Sequence, residues 1–432
     1  MKKIELPIFS SCFLLIALMG YQLAFSQIRN GNGFSVAGTR PPDEKPVEGQ
    51  PLEHRDTYGK NQKPAFAGQT RISAVITKAS YKVDIITDKL FHPWSIAFMP
   101  DGRMLITEKR GSIRIVTQSG LVGDSLRNLP RDIAYGGDAG LLDIVTDPNF
   151  KSNRKLYFTY VQRKSNRGTG LVVASGKLSS DETALQDLTI IYKVNDSTIA
   201  GFAHYGSRLL FDKKGKLLVS TSERMWEESR LKTQWASSAL GKILRINTDG
   251  TPAKGNPKIW KDSSNALPEI WALGFRNPQG IAWNPATGDL WEDEHGTQGG
   301  DEVNLVKPGR NYGWPVIAYG CEYTWEPIEG NITQKEGLEQ PVYYWDPTIA
   351  PSGCTFYTGT SIPEWTNNMF IASLAGQHLV RLVIKDNKVV GEERLLLDQH
   401  QRMRDVVMGP DGNLWVVTDA DNGRLIKISA TD

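Results

Sequence analysis

The sequence predicts an all-β protein, a six-bladed β-propeller of four-stranded antiparallel blades that occupies residues 76–432. Three observations predict this fold. A strand–turn–strand pattern recurs along the chain, its copies are spaced by roughly 45 to 75 residues, and no stretch keeps a helical period. That spacing accommodates one four-stranded blade and a loop, and radial repetition of blades protects the sheet edges.

Each copy of the repeat places two short apolar runs around a reversal rich in turn residues, as a β-hairpin requires. Two copies match closely and share a Pro-Asp-Gly turn, at 95–107 and 406–418. Looser copies lie at 142–159, 209–221, 281–291 and 350–373. A large β-sandwich is the alternative, and the repeats make it the weaker one. Propeller loops converge at one mouth of the central channel, so functional residues should be scattered in sequence near equivalent strand ends.

The N-terminal residues 1–26 have the pattern of a secretory signal peptide. The first three residues are Met-Lys-Lys, residues 13–19 are apolar, and Ala-Phe-Ser at 24–26 offers a small-x-small cleavage site. The apolar run is shorter than the ~20 residues that a membrane-spanning helix needs. We therefore expect a periplasmic or secreted protein without stable membrane insertion after cleavage, an uncleaved anchor being the alternative. Residues 27–75 are rich in Gly, Pro, Gln and charge and predict a flexible leader.

Charge and cysteine content narrow the function classes further. The formal net charge is +2 and no basic face is clustered, so nucleic acid is not an expected partner. Cleavage of the signal peptide would leave only Cys321 and Cys354. One disulfide or two separate thiols are both compatible with an exported protein, and disulfides cannot be the main scaffold.

A histidine and a carboxylate are the first candidates for chemistry. His204 stands immediately before one strand of a repeat, and Glu223 follows the return strand of the same hairpin. A carboxylate beside a histidine orients the ring and stabilises its protonated form, which is what a general base needs. A structural histidine with a surface glutamate is the alternative.

Several arginines and an acidic loop predict an anionic ligand and a metal. Arg276 and Asn277 follow a strand, and Arg402 and Arg404 lie on one face because alternate strand residues share a side. Glu302, through its carboxylate, and Tyr312, through its backbone carbonyl, predict a Ca²⁺ site of hard oxygen ligands. Scattered surface arginines and a solvated acidic loop are the alternatives.

Many ordered segments of the chain resemble one family. Between about residues 90 and 428 the sequence is similar to the soluble aldose sugar dehydrogenases that depend on pyrroloquinoline quinone (PQQ), relatives of soluble glucose dehydrogenase. The matching segments are 93–102, 140–143, 204–209, 240–246, 274–280, 294–296, 299–302, 311–315, 341–345, 350–353 and 402–406.

The resemblance implies a role for each matching position. It implies PQQ and Ca²⁺ as cofactors, an aldose as the substrate, oxidation at C1 to the lactone with hydride transfer to the quinone, and an unidentified periplasmic electron acceptor. The implied catalytic residues are His204 as general base, Glu223 and Arg276. The implied cofactor-binding and metal-binding positions are Asp138, Arg276, Asn277, Tyr323, Arg402 and Arg404 for the quinone, and Gly296, Thr297, Glu302 and Tyr312 for calcium.

The chain departs from the family pattern at three positions. Asp138 stands where the family often has Gln, Ala375 where some members have a cofactor-contacting Lys, and Thr297 where the family usually has Pro. An acid at position 138 would weaken binding of an anionic quinone unless it is protonated, turned away or paired. Two other function classes stay open: a Ca²⁺-dependent lactonase-like propeller hydrolase, and a non-catalytic propeller that binds glycans or a partner protein.

Overall fold

A computed structural model of the protein describes residues 46–164, 168–194, 201–259 and 265–431. These residues form six four-stranded antiparallel sheets arranged as the blades of a propeller, which confirms the predicted fold. The predicted signal peptide, residues 1–26, and residues 27–45 of the predicted leader lie outside the described residues.

The strands follow the chain from the inside to the outside of each blade. Blade 1 comprises β2 (Pro93–Phe98), β3 (Met104–Glu108), β4 (Ser112–Val116) and β5 (Val122–Ser125). Blade 2 comprises β6 (Leu141–Thr146), β7 (Lys155–Arg163), β8 (Thr169–Leu178) and β9 (Leu185–Lys193). Blade 3 comprises β10 (Gly206–Phe211), β11 (Leu217–Thr221), β12 (Lys242–Ile246) and β13 (Ile270–Leu273).

Blade 4 comprises β14 (Pro278–Trp283), β15 (Leu290–Glu294), β16 (Asp301–Val306) and β17 (Tyr343–Trp345). Blade 5 comprises β18 (Pro351–Phe356), β19 (Met369–Ser373), β20 (His378–Lys385) and β21 (Lys388–Leu395). Blade 6 comprises β22 (Met403–Met408), β23 (Leu414–Thr418) and β24 (Gly423–Ala430), with β1 (Tyr81–Leu90) as its outer strand.

Helical structure is sparse and confined to connections. The described helices are α1 (Phe150–Asn153) and α2 (Glu227–Arg230), with 3-10 turns at Leu231–Gln234, Pro363–Trp365 and Leu397–Gln399. Within the described residues, no helix is long and apolar enough to cross a membrane.

The ring closes by joining the two ends of the folded chain. Strand β1 pairs antiparallel with β24, from Tyr81 opposite Ala430 to Leu90 opposite Gly423. The six sequence repeats correspond to the two inner strands of the six blades, which explains why hairpin signals were visible there.

All six innermost strands are irregular near their first residues. The pairing between the first and second strand of each blade shifts register there, so the strand bends and its first side chains turn toward the mouth of the channel. The shifts lie at 93/95, 141/144, 206/209, 278/280, 351/354 and 403/405.

Apolar clusters between adjacent blades form the core. Burial of apolar surface contributes about 25 cal/mol per Å² and is the main term that holds such layers together. Between blades 3 and 4, for example, the Phe275 ring stacks on Tyr312 with centroids 4.6 Å apart. The stack fixes the start of blade 4, where the arginine and asparagine of the site lie.

The described part of the predicted leader, residues 46–75, is hydrogen-bonded to the propeller. Gln69 is fully buried, and its side chain donates to the Pro341 carbonyl at 2.9 Å. The Asp346 carboxylate accepts the backbone N–H groups of Tyr58 and Gly59 at 2.8 and 2.9 Å. Polar composition suggested a solvated chain, but these polar groups are bonded to blades 4 and 5. Cys321 and Cys354 are both unbridged thiols.

Candidate active site

His204 and Glu223 lie in contact at one end of their hairpin, where the sequence analysis expected the two residues to come together. His204 Nδ1 lies 2.8 Å from Glu223 Oε1, and the glutamate is fully buried. A carboxylate only accepts, so Nδ1 carries the proton and donates it, which leaves the Nε2 lone pair available to take a proton. The Glu223 backbone N–H donates to the Arg276 carbonyl at 3.0 Å, which connects the pair to blade 4.

Arg276 and Asn277 are held in place by a carboxylate that the sequence analysis did not name. Glu294 Oε2 accepts both of their backbone N–H groups, at 2.5 and 3.0 Å. Burial raises the pKa of Glu294 to about 8, although those two N–H groups oppose the rise. Asn277 Oδ1 in turn accepts the N–H of Gly206, two residues after His204, at 3.3 Å.

The Arg276 guanidinium reaches across the mouth to the predicted metal loop. Its Nη1 donates to the carbonyls of His295, at 3.0 Å, and Gly296. Its Nη2 lies 3.4 Å from the Tyr323 hydroxyl, and its plane lies 5.2 Å from the centroid of Trp314. Carbonyls that already hold a cationic group are suited to hold a metal cation, so this loop fits the expected role.

A second group of cations faces the site from blades 6 and 1. The Asp419 carboxylate is 3.4 Å from Arg402 and 3.6 Å from Arg404. It also accepts from His92 Nδ1 at 2.7 Å. Burial opposes ionisation of Asp419, but this hydrogen bond and the nearby cations hold its pKa well below the usual range.

Lys109 is a cation of this group that the sequence analysis missed. Its Nζ donates to the Gly137 carbonyl at 2.7 Å. Burial lowers its pKa, and the positive charges of Arg404 and Arg402 lower it further. Since Lys109 comes directly after β3 in an ordinary-looking turn, only the three-dimensional convergence of blades reveals it.

Arg404 continues into a charged network inside the central channel. Its Nη1 donates to Gln279 and to Ser352, at 3.2 Å each. Below it, Arg208 lies 2.9 Å from Asp405 and 3.3 Å from Asp143. This network connects the inner strands of several blades and supports the arginine from beneath.

His295 is close enough to His204 for their charges to interact. Burial lowers the pKa of His295 to about 3, and the positive charge of His204 contributes to the lowering. Its Nε2 lies 2.8 Å from the Pro351 carbonyl, so Nε2 carries the proton and the ring is neutral. The structure places this ring beside that of His204.

Glu302 lies in a cluster of buried carboxylates on blade 4. It stands opposite Glu294 in the sheet, and Asn304 Nδ2 donates to Glu292 at 3.1 Å. Burial and mutual repulsion raise the pKa of Glu292 and Glu302 well above the usual range. Among the described residues, Glu292 Oε1 and Asn304 Oδ1 are buried without a hydrogen-bond partner.

Side chains alone do not complete a metal site. In the described part of the chain, no group of three or more His, Cys, Asp or Glu side chains is arranged to hold a metal ion. A calcium site would therefore draw on backbone carbonyls, as predicted for Gly296, Thr297 and Tyr312. The Tyr312 backbone N–H donates to the Leu273 carbonyl at 2.8 Å, which places this residue beside the strand that leads to Arg276.

Asp138 is paired and does not stand as an isolated charge in the pocket. Its Oδ2 accepts the backbone N–H of His204 at 3.0 Å. Burial opposes ionisation, but the His204 charge, this N–H and Lys109 together lower the pKa of Asp138. Of the three conditions named for an acid at this position, the structure shows the paired one.

Comparisons with known proteins identify the architecture as a dehydrogenase propeller. The family model described as "Glucose / Sorbosone dehydrogenase" matches residues 90–427. The chain belongs to this family. It is 37% identical over 355 residues to the aldose sugar dehydrogenase YliI of Escherichia coli, covering 81% of this chain and 93% of the relative. The predicted family and the prediction that the protein is a dehydrogenase are therefore confirmed.

Solved structures of the family agree with the fold. The crystal structure of the soluble aldose sugar dehydrogenase of E. coli in its apo form is 36% identical, with a TM-score of 0.77, and covers 82% of this chain and 100% of that one. The PQQ-bound aldose sugar dehydrogenase of Streptomyces coelicolor is 25% identical, with a TM-score of 0.64, and covers 82% of this chain and 100% of that one.

Proposed function

We propose that this protein oxidises aldose sugars at C1 to lactones, using PQQ and Ca²⁺, after export to the periplasm. The observation that carries the proposal is the buried His204–Glu223 pair, which leaves His204 Nε2 as a base at a mouth lined by Arg276, Arg402 and Arg404. Related proteins described as an aldose sugar dehydrogenase and a PQQ-bound form of one support it.

The cations at the mouth fit the quinone. PQQ carries three carboxylates, and planar guanidinium groups bind carboxylates through paired N–H donors. In the described residues, the buried Nε atoms of Arg276 and Arg404 have no hydrogen-bond partner, so donors are available there. Asn277 and Tyr323 would line the same pocket, and Lys109 would supply a cation that Ala375 does not.

The oxygen-rich loops of blade 4 fit calcium at two places. The Gly296 carbonyl already binds a guanidinium, and it would hold the catalytic Ca²⁺ together with the Thr297 carbonyl. The Glu302 carboxylate and the Tyr312 carbonyl would hold a second, structural Ca²⁺. The unpaired oxygens beside Glu302 and the repulsion among the buried carboxylates favour a cation at that place.

His204 would remove the proton from the anomeric hydroxyl of the sugar. When bound, the quinone supplies the acceptor for the hydride of C1. Glu223 stabilises the imidazolium that forms on His204, and Arg276 places a positive charge where negative charge develops. His204→Ala should lower kcat by about two to four orders of magnitude, the range for a lost general base.

One titration separates the proposal from its alternatives. Purified apo-protein would be titrated with PQQ and Ca²⁺, then assayed for aldose-dependent dye reduction and for lactone hydrolysis. The proposal expects saturable quinone binding and dye reduction that requires both cofactors. Lactone hydrolysis that needs only Ca²⁺ would establish a lactonase-like enzyme. The absence of both activities, together with the absence of quinone binding, would establish a binding propeller.

A further inference from the structure

The base of the site sits on a backbone that needs support. His204 has a φ of 49°, in the left-handed region that a non-glycine residue adopts only with backbone strain. Its side chain direction depends on that conformation, because rotation about φ moves Cβ and the whole ring. A base displaced by about 1 Å can lose roughly 100-fold in rate.

Asp138 contacts the backbone that leads into this strained residue at two points. Its own N–H donates to the Phe202 carbonyl at 2.7 Å, and its Oδ2 accepts the His204 N–H at 3.0 Å. The aspartate therefore holds the segment 202–204 at two points, one through main chain and one through side chain. The side-chain contact acts directly on the residue whose φ is positive.

Neighbouring residues fix both partners of this contact. The Lys109 ammonium holds the Gly137 carbonyl, one residue before the aspartate, at 2.7 Å. On the other side, Arg224 donates to the Ala203 carbonyl at 3.2 Å and stacks 4.2 Å from the centroid of the Tyr205 ring. The segment that carries the base is thus clamped between blades 2 and 3.

We propose that Asp138 is a positioning residue for His204: its carboxylate, acting as a hydrogen-bond acceptor, holds the left-handed backbone that aims the imidazole into the mouth. This inference rests on the proposed function and refines it. This role requires, at position 138, a short side chain whose oxygen can accept the backbone N–H of His204. The negative charge of Asp138 does not help to bind an anionic cofactor. The effect of the acceptor oxygen and the effect of the charge can therefore be tested with separate variants.

Two variants separate the acceptor from the charge. Asp138→Asn keeps an acceptor oxygen at the same reach and removes the charge, whereas Asp138→Ala removes both. We expect Asp138→Ala to lower kcat roughly 10-fold or more with little change in KM, and Asp138→Asn to retain kcat within about 3-fold. Exposed Asp124 on β5 gives a matched control, Asp124→Ala, which should leave both constants unchanged.

A second readout does not depend on turnover. The chain has six histidines, so the ring resonances of ¹⁵N-histidine-labelled apo-protein can be resolved and that of His204 assigned with His204→Gln. The His204 resonances should move in Asp138→Ala and stay near their wild-type positions in Asp138→Asn. PQQ binding to apo-protein, followed by tryptophan fluorescence, should not weaken in either variant.

The outcomes distinguish this inference from the proposed function. If Asp138→Ala leaves kcat and the His204 resonances unchanged in an active enzyme, the positioning role is wrong. If Asn and Ala lose kcat equally, the charge matters and not the acceptor, which also overturns it. If wild-type protein reduces no dye with any aldose, the proposed function fails, and unchanged His204 resonances in Asp138→Ala would still overturn the positioning role independently.

Discussion

Replacing Glu223 by Gln tests how much the buried carboxylate contributes to the base. The carboxylate oxygen lies 2.8 Å from His204 Nδ1, so the centres of the two charges are about 4 Å apart. At that separation, with an effective dielectric constant near 20, their attraction is about 4 kcal/mol. A glutamine oxygen keeps the hydrogen bond but not the charge, so we expect a net loss of about 2 to 3 kcal/mol. That corresponds to a roughly 30- to 150-fold lower kcat.

The assay is steady-state dye reduction by enzyme reconstituted with PQQ and Ca²⁺, with kcat and KM measured separately. Glutamine and glutamate have nearly equal volumes, so packing around position 223 should be preserved. Glu336→Gln, at an exposed position of the long loop of blade 4, is the matched control and should have wild-type kcat. A kcat for Glu223→Gln within 3-fold of wild type would refute the argument that this carboxylate stabilises the imidazolium.

Three further predictions concern metal, cofactor and pH. A chelator should lower the melting temperature of the apo-protein. Glu302→Gln should remove most of that shift, because the Glu302 carboxylate is the charged ligand of the predicted site. A shift of the same size in Glu302→Gln would contradict this calcium site. Lys109→Ala should weaken PQQ binding about 5- to 10-fold by fluorescence titration, whereas exposed Lys388→Ala should not. Burial raises the pKa of Asp405 to about 6, so the folded state binds its proton more tightly than the unfolded chain does. Between pH 4 and pH 7, the unfolding free energy of the wild type should therefore fall by up to about 3 kcal/mol more than that of Asp405→Asn. Parallel curves of unfolding free energy against pH for the two proteins would disprove this prediction.

Hairpin chemistry made the fold predictable. The six repeats mark the inner two strands of each blade, where tight turns and burial leave few sequence choices, and the outer strands vary because solvent and loops tolerate more. His204 and Glu223 could be paired from sequence because one hairpin brings its two ends together. The places of Glu294 and Lys109 in the site could not be predicted from the sequence. Glu294 binds backbone N–H groups, and Lys109 reaches the site only because blade 1 lies beside blade 6.

The contacts of the leader and of Asp138 could not be predicted for a related reason. A run of polar residues is typical of solvated chain, but a hydrogen-bond partner distant in sequence can bury it. Gln69 donates to the carbonyl of Pro341, which lies 272 residues later. For Asp138, charge suggested an effect on the cofactor. The contact that the structure shows is a hydrogen bond to a main-chain N–H 66 residues away, and main-chain contacts across loops leave no pattern in the sequence.

The pairing of β1 with β24 has a consequence for how the protein acquires its activity. Blade 6 combines the beginning of the folded chain with its end, so a ribosome must finish nearly the whole polypeptide before the last sheet can form. Arg404 belongs to that sheet, whereas Arg276 belongs to an earlier one. The two cannot take up their final separation in a nascent chain. Contacts so distant in sequence form slowly, and under the proposed function cofactor loading would follow completion of the ring.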